Sequence, residues 1–199
     1  MKLKNQHLFL LSMLVGTTIV VAPLVYDRLV HGQAPKTTML TPEIEVTAQI
    51  EGRQLRAIQQ AGYKTLVDFR PDSEIGEQAS SKMIEREARK NGIAFFYLPI
   101  PHGDTVPEDA VRKLSEILST SPSPFLLYCR SGRWATRAWS LAEASRRSGR
   151  SAEAIYKAPS GTGYSIEDLK ASIKSHVSQR NSASGNNKGD KASGNTAKR

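Results

Sequence analysis

The first hydrophobic feature of the chain is an uncharged run from Leu8 to Tyr26, LFLLSMLVGTTIVVAPLVY. About 19 residues are enough for one helix to cross the hydrocarbon layer of a bilayer. A secretory signal is usually shorter and ends in small residues at its cleavage site. Here the bulky residues Asp27, Arg28 and Leu29 follow. The pattern therefore favours an uncleaved membrane anchor over residues 1–30.

The charges that flank this run predict its orientation. Lys2 and Lys4 precede it, whereas Asp27 and Arg28 cancel on the other side. Positively charged flanks tend to stay in the cytoplasm. We therefore expect a single-pass membrane protein with a cytoplasmic N-terminus and an extracytoplasmic domain, which is periplasmic if the source is a bacterium.

Beyond the run, short apolar stretches alternate with amphipathic ones. Leu66, Val67 and Phe69 form a compact apolar run that is typical of a buried strand. Apolar positions three or four residues apart predict helices between such runs, and Gly62 and Gly92 mark two helix ends. The predicted strands cover residues 44–48, 65–69, 93–100 and 125–129, and the predicted helices cover 52–61, 78–90, 105–118, 135–147 and 166–177.

This alternation predicts an α/β domain with a mostly parallel central sheet and helices on both faces, preceded by one N-terminal transmembrane helix. We divide the chain into the anchor at 1–30, a linker at 31–40, the α/β domain at 41–178 and a tail at 179–199. The tail is rich in Ser, Ala, Gly, Asn and Lys and has no large apolar residue, which is typical of disorder.

The net charge of +9 changes this picture little, because much of it lies at the ends of the chain. From Arg180 onward, five basic residues oppose one acidic residue, so this segment contributes +4. The folded middle is only mildly basic, which argues against nucleic acid as a partner. The basic tail suits a solvated spacer or attraction to an anionic surface.

Cys129 is the only cysteine, so an intramolecular disulfide is excluded. One Cys and four scattered His residues do not form a zinc site, and we expect neither a metal nor another cofactor. The segment from Tyr128 to Ala135, YCRSGRWA, places this cysteine between a buried strand, a Gly-containing loop and a helix. Backbone N–H groups and a helix N-terminus then converge on one point, as in an anion-binding nest. This positive end favours the thiolate, which can attack phosphorus or a sulfane sulfur.

Three segments in order, TLVDFRPD, GIAFFYLPIPHGD and PFLLYCRSGRWATRAWSLAEA, resemble the phosphatase-like domain of the beta-lactamase-hydrolase-like family. That family is related to dual-specificity, cysteine-dependent phosphatases. The resemblance covers roughly residues 41–177 and implies a dual-specificity-phosphatase-like fold. It also implies hydrolysis of a phosphorylated protein or small molecule through a phosphocysteine, without a cofactor.

The same resemblance assigns roles to individual residues. It makes Cys129 the nucleophile and Asp104 the general acid on the loop after the 93–100 strand. His102 on that loop and Arg70 at a strand end are further candidates, although a salt bridge to Asp72 or Glu74 is the plainer interpretation of Arg70. The implied phosphate-binding loop consists of Arg130, Ser131, Gly132, Arg133, Trp134 and Ala135.

The sequence also departs from the pattern of these phosphatases. Their loop arginine stands six residues after the cysteine, where this chain has Ala135, and their preceding histidine is replaced by Tyr128. Relatives and sulfurtransferases with a shorter loop have the arginine at the position of Trp134. We hypothesise that Arg133 partly substitutes for the missing guanidinium, whose loss commonly costs a factor of about 10²–10³ in rate.

Two alternative functions use the same loop. In a rhodanese-like sulfurtransferase, Cys129 would carry a persulfide. In a catalytically silent protein, the loop would only bind an anion or a partner. A trapped phosphate or sulfur adduct on Cys129 distinguishes the two enzymes, and the silent protein would form neither.

Overall fold

A computed structural model describes residues 32–74, 79–101, 103 and 105–192, together with Met13, Ala22, Val25 and Tyr26. The strands are β1 (Thr37–Thr41), β2 (Ile44–Thr47), β3 (Thr65–Asp68), β4 (Ala94–Tyr97) and β5 (Phe125–Tyr128). The helices are α1 (Leu55–Gln60), α2 (Ser81–Lys90), α3 (Glu108–Thr120), α4 (Arg133–Ser145), α5 (Ala152–Lys157) and α6 (Lys170–Ala192). Short 3-10 turns cover Gly52–Gln54, Ala158–Gly161 and Glu167–Leu169.

The five strands form one sheet in the order β1-β2-β5-β3-β4. Strands β2, β5, β3 and β4 run parallel to one another, and β1 pairs antiparallel to β2. A mixed α/β fold around a central sheet is thus confirmed. Because parallel strands end on the same side, the carboxyl ends of β2 to β5 share one edge of the sheet, which we call the site edge.

The two faces of the sheet bury separate cores. Leu66 and Leu126 pack with residues of α1 and α2 on one face. Val67 and Leu127 pack on the opposite face, under α3, α4 and α6. This alternation follows the two-residue period of a strand, and both faces are apolar because helices cover both. Helix α4 lies between α3 and α6 and is buried over most of its length, so its N-terminus is held firmly at the site edge.

Two boundaries differ from the sequence-based division. The predicted linker at 31–40 contains most of β1, since Thr37 pairs with Thr47 and Thr38 with Val46. The threonine-rich sequence shows no clear alternation, so pairing with β2 determines this edge strand. The domain therefore starts before residue 41.

The second difference concerns the C-terminal tail. Helix α6 continues to Ala192, whereas the sequence predicted disorder from residue 179. Arg180 explains part of this extension, because its guanidinium donates hydrogen bonds to the carbonyl oxygens of Glu143 (3.0 Å), Ala144 (3.2 Å) and Arg150 (2.6 Å). The last carbonyl groups of a helix lack intrahelical partners, and Arg180 supplies donors for the end of α4.

Among the residues that the structure describes, no helix is both long enough and apolar enough to cross a membrane. Apart from Met13, Ala22, Val25 and Tyr26, the predicted anchor at 1–30 lies outside the described residues. The end of the predicted tail, residues 193–199, also lies outside them.

Candidate active site

Cys129 follows the last residue of β5 and therefore lies at the site edge. Its thiol is only 2% exposed and packs with the core beneath α4. The strand alternation that turns Tyr128 towards α1 and α2 turns Cys129 towards α4. The residue that sequence analysis selected thus lies at the start of the loop that leads into α4.

The cysteine loop, residues 129–132, wraps around the sulfur. The backbone N–H of Gly132 donates to Cys129 Sγ at 3.1 Å. Gly132 has a φ of +97°, and a Cβ here would lie 3.3 Å from the Thr47 carbonyl oxygen. A side chain is therefore excluded both by the backbone conformation and by crowding from β2. Helix α4 begins at the next residue, and the Arg133 N–H at its first position donates to Ser131 Oγ at 3.4 Å.

Two contacts hold the carbonyl groups of this loop away from the sulfur. The Tyr164 hydroxyl donates to the Ser131 carbonyl oxygen at 2.5 Å. The Gln49 N–H donates to the Arg130 carbonyl oxygen at 3.3 Å. These oxygens are engaged elsewhere, and the Gly132 N–H donates to the sulfur. Such a loop is suited to bind an oxyanion.

Arg70 lies behind the cysteine loop, at the end of β3. It is 3% exposed, and its Nε donates to Glu74 Oε2 at 2.8 Å. The other oxygen of Glu74 lies 4.0 Å from Nη1 of Arg130 in the cysteine loop. The salt bridge that sequence analysis offered as the plainer interpretation of Arg70 is therefore present. It also connects the end of β3 to the cysteine loop.

Asp68 is a second buried charge at this end of β3. Its register partners are Tyr128 on β5 and Tyr97 on β4, and its carboxylate accepts a hydrogen bond from the Arg70 backbone N–H at 2.8 Å. Burial raises the pKa of Asp68 to about 6, and the hydrogen bond from Arg70 only partly opposes this. Burial and the adjacent Asp68 carboxylate also raise the pKa of Tyr128, so its hydroxyl stays protonated. An uncharged phenol thus precedes Cys129, at the position where the phosphatase pattern of the sequence analysis has a histidine.

Arg133 and Arg137 differ in their surroundings. Arg137 is 3% exposed and forms a bidentate ion pair with Asp168. Its Nη1 donates to Oδ1 at 2.9 Å and its Nη2 donates to Oδ2 at 2.5 Å. This pairing holds Arg137 away from a role in the cysteine loop. Arg133 is exposed at the first position of α4, 5.5 Å from the centre of the Trp134 ring. Only Arg133 of the two is available at the mouth of the loop.

Of the other predicted site residues, two are described by the structure and two are not. Ala135 is fully buried beneath the loop, and Trp134 is half-buried against the core. His102 and Asp104 lie outside the described residues, so their assignment stays a prediction. Their neighbours Pro101 and Thr105 follow β4, which ends at the site edge.

Comparison of the chain with known proteins identifies a matching family and a similar protein. Residues 36–146 match the family model described as beta-lactamase hydrolase-like protein, phosphatase-like domain. A beta-lactamase hydrolase-like protein from Xylella fastidiosa is 27% identical over 82 residues, which cover 41% of this chain and 19% of that protein. The matched segment is thus a small part of the relative's length.

Solved structures share the fold. A protein from Neisseria meningitidis, provisionally assigned as a phosphatase, superimposes with a TM-score of 0.58 at 21% identity and covers 70% of this chain and 96% of its own. A kinase-associated phosphatase with serine in place of its catalytic-site cysteine superimposes with a TM-score of 0.55 at 12% identity. It covers 74% of this chain and 98% of its own. At these identities the similarity establishes the fold alone.

Three residues that shape the site are not apparent from local sequence patterns. Asp68 was interpreted only as part of a strand, and its ionisation depends on partners from β4 and β5. Tyr164 lies outside the predicted strands and helices, and nothing in its sequence surroundings indicates a bond to Ser131. Asp168 pairs with Arg137 across 31 positions of sequence. The sequence carries a signal only for Asp68, an acidic residue inside an apolar strand run.

Proposed function

Because the chain belongs to the beta-lactamase hydrolase-like phosphatase-like domain family, we propose that it hydrolyses phosphoesters through the thiolate of Cys129. The contact between the Gly132 N–H and Cys129 Sγ at the start of α4 is the observation that carries this proposal. It aims a donor at the sulfur from the side where a phosphate oxygen would bind.

The proposed reaction has two displacements at phosphorus. Cys129 Sγ attacks the phosphorus and forms a P–S bond while the bond to the ester oxygen breaks. The leaving oxygen takes a proton from a general acid, for which we propose Asp104. Water then attacks the phosphocysteine, returns a proton to the same carboxylate and releases phosphate and the thiolate. Throughout, N–H groups of residues 130–135 would hold the non-reacting oxygens.

Positive charge for the transition state must come from outside the usual loop position, since Ala135 occupies it. We propose that Arg133 supplies part of this charge and that Arg130 contributes from the other side of the loop. Both side chains are exposed. An exposed guanidinium is less fixed than a buried one, so we expect slow turnover relative to phosphatases with the usual arginine.

One observation favours a second candidate, an anion-binding protein without turnover. Ala135 is fully buried and leaves the usual arginine position without a guanidinium, whereas the Gly132 N–H donates to Cys129 Sγ. Sulfur transfer through a Cys129 persulfide is the third candidate. The substrate, whether protein or small molecule, is not defined by these features.

We also propose that residues 8–26 anchor the chain in a membrane, with the N-terminus cytoplasmic and the domain on the other side. The support is the length of the uncharged run and the preceding Lys2 and Lys4.

The test is turnover of an aryl phosphate by the full chain in detergent, beside Cys129→Ser and the control Ser119→Ala on the exposed side of α3. We expect turnover by the wild type and by the control, and none by Cys129→Ser. Mass spectrometry after rapid quenching should find phosphate on Cys129. A sulfur adduct would indicate the sulfurtransferase. Phosphate binding without an adduct or turnover would indicate the silent protein.

A further inference from the structure

The chain enters the folded domain at the site edge. Strand β1 runs antiparallel to β2, so its first residue, Thr37, pairs with the last residue of β2, Thr47. Thr47 in turn pairs with Tyr128, the neighbour of Cys129. The Thr47 hydroxyl also donates to the Lys36 carbonyl oxygen at 2.9 Å. The polypeptide before β1 is therefore bound next to the cysteine loop.

The incoming segment, residues 32–36, stays along this edge. Gln54 Nε2 donates to the Gln33 carbonyl oxygen at 3.0 Å, which fixes the segment on the turn after β2. Lys36 lines a cavity of about 230 Å³ together with Ser131, Gly132 and Tyr164. The incoming segment and the cysteine loop thus share a wall of the same cavity.

The distance from this edge to the uncharged run is short. The run ends at Tyr26, and the first continuously described residue is Gly32. Six residue steps span at most roughly 20 Å when fully extended. The polar zone of a bilayer adds about 5–7 Å outside the hydrocarbon layer. With the run in a bilayer, Gly32 at the start of the incoming segment therefore lies within roughly 15 Å of the headgroups.

The charge of this edge suits an anionic lipid surface. Lys36, Arg130 and Arg133 are exposed around the cavity and the cysteine loop. Two of the described acidic side chains near this edge are paired with arginines, Glu51 with Arg53 at 2.6 Å and Glu74 with Arg70, whereas the exposed Asp72 accepts hydrogen bonds from Ser81. Basic residues close to a membrane are attracted to anionic lipids over about one Debye length, roughly 8–10 Å.

We propose that the site edge, with the mouth of the Cys129 loop, faces an anionic bilayer surface. The inference rests on the membrane anchor of the proposed function and extends it to an orientation. The opposite edge, where β3 starts at Thr65, then points away from the bilayer. A phosphate group that reaches Cys129 would be presented at the lipid surface.

The experiment uses the full chain with Cys129→Ser, so that an introduced cysteine carries the only fluorophore. Lys36→Cys places the probe at the site edge, and Lys64→Cys places a matched probe on an exposed lysine at the opposite edge. Both proteins are reconstituted into vesicles of phosphatidylcholine alone or with phosphatidylserine, each containing a headgroup quencher. We expect the Lys36 probe to lose at least about twofold more fluorescence than the Lys64 probe in the anionic vesicles, and less so in neutral vesicles or at 1 M salt.

Equal quenching of the two probes, or stronger quenching at Lys64, would overturn the orientation. Quenching that does not differ between anionic and neutral vesicles would overturn the attraction to anionic lipid. A chain that does not float with vesicles would overturn both the anchor and this inference. Turnover of a soluble aryl phosphate does not depend on vesicles, so it reports separately on the chemistry of Cys129.

Discussion

Asp68→Asn offers a direct test of the polar network behind the cysteine loop. Burial raises the pKa of Asp68 from 3.8 to about 6 in the folded protein. The folded state therefore binds this proton more tightly than the unfolded state does. The stabilisation that comes from this tighter proton binding is fully present below about pH 4. It is lost as the pH rises through the folded pKa of Asp68 near 6. Above that pH the buried carboxylate is ionised, and the full penalty in the free energy of unfolding applies.

The size of the effect follows from the shift. A change of one pKa unit corresponds to about 1.4 kcal/mol, so a shift of about two units gives a penalty on the order of 3 kcal/mol at neutral pH. Asparagine is uncharged at every pH and keeps an oxygen that can accept the Arg70 N–H, which now donates to Asp68 at 2.8 Å. We expect Asp68→Asn to gain stability relative to the wild type between pH 4 and pH 7, by up to this amount.

Urea unfolding at several pH values measures this difference. Trp139 is fully buried, so its fluorescence reports loss of the core. With a slope of about 1–3 kcal/mol per molar urea, the relative shift in midpoint should be on the order of 1–3 M. The control Asp109→Asn replaces a carboxylate that is 60% exposed on α3 and should keep the pH dependence of the wild type. Parallel pH profiles for Asp68→Asn and the wild type would refute the reasoning.

Three further predictions concern the cysteine loop and the end of α4. Gly132→Ala should lower the free energy of unfolding by about 1–2 kcal/mol and abolish turnover. The control position Gly92 also has a positive φ but open space around it, so Gly92→Ala should lose stability and keep turnover. Equal loss of turnover in both variants would contradict this. Tyr164→Phe should lower turnover severalfold at a cost of about 1 kcal/mol in unfolding free energy, and unchanged kinetics would show that its bond does not position the loop. Arg180→Gln should lower the free energy of unfolding in urea by about 1.5–3 kcal/mol, and the exposed Lys174→Gln should not; matching midpoints would exclude the helix-end contact as a source of stability.

The elements around Cys129 could be predicted because their signals lie in consecutive residues. The compact apolar run at residues 125–129 and the glycine before α4 are visible in the chain itself, and together they placed Cys129 correctly at the end of a strand. Strand β1 was missed because its pairing with β2 decides its conformation. The end of α6 was missed because the Arg180 contact with α4 joins residues that are far apart in sequence.

The same distinction applies to the candidate site. The cysteine and its loop could be predicted, since strand, glycine and helix follow one another directly. The ionisation of Asp68 could not, because it depends on the register that brings Tyr97 and Tyr128 to either side of it. Local patterns also could not show that Arg137 is bound to Asp168 while Arg133 is exposed.

The two departures from the phosphatase pattern have a common consequence for binding. Ala135 removes a guanidinium and Tyr128 replaces an imidazole with a phenol whose raised pKa keeps it uncharged. The charge of a phosphate bound at the cysteine loop would then be balanced by backbone N–H groups such as that of Gly132 and by Arg130 and Arg133 on the exposed rim. Charges on a rim are screened by water and salt more than buried ones. We therefore expect the affinity for a phosphate dianion to fall with ionic strength more steeply than in a site with a buried arginine. A nearby anionic surface would place further negative charge opposite Arg130 and Arg133.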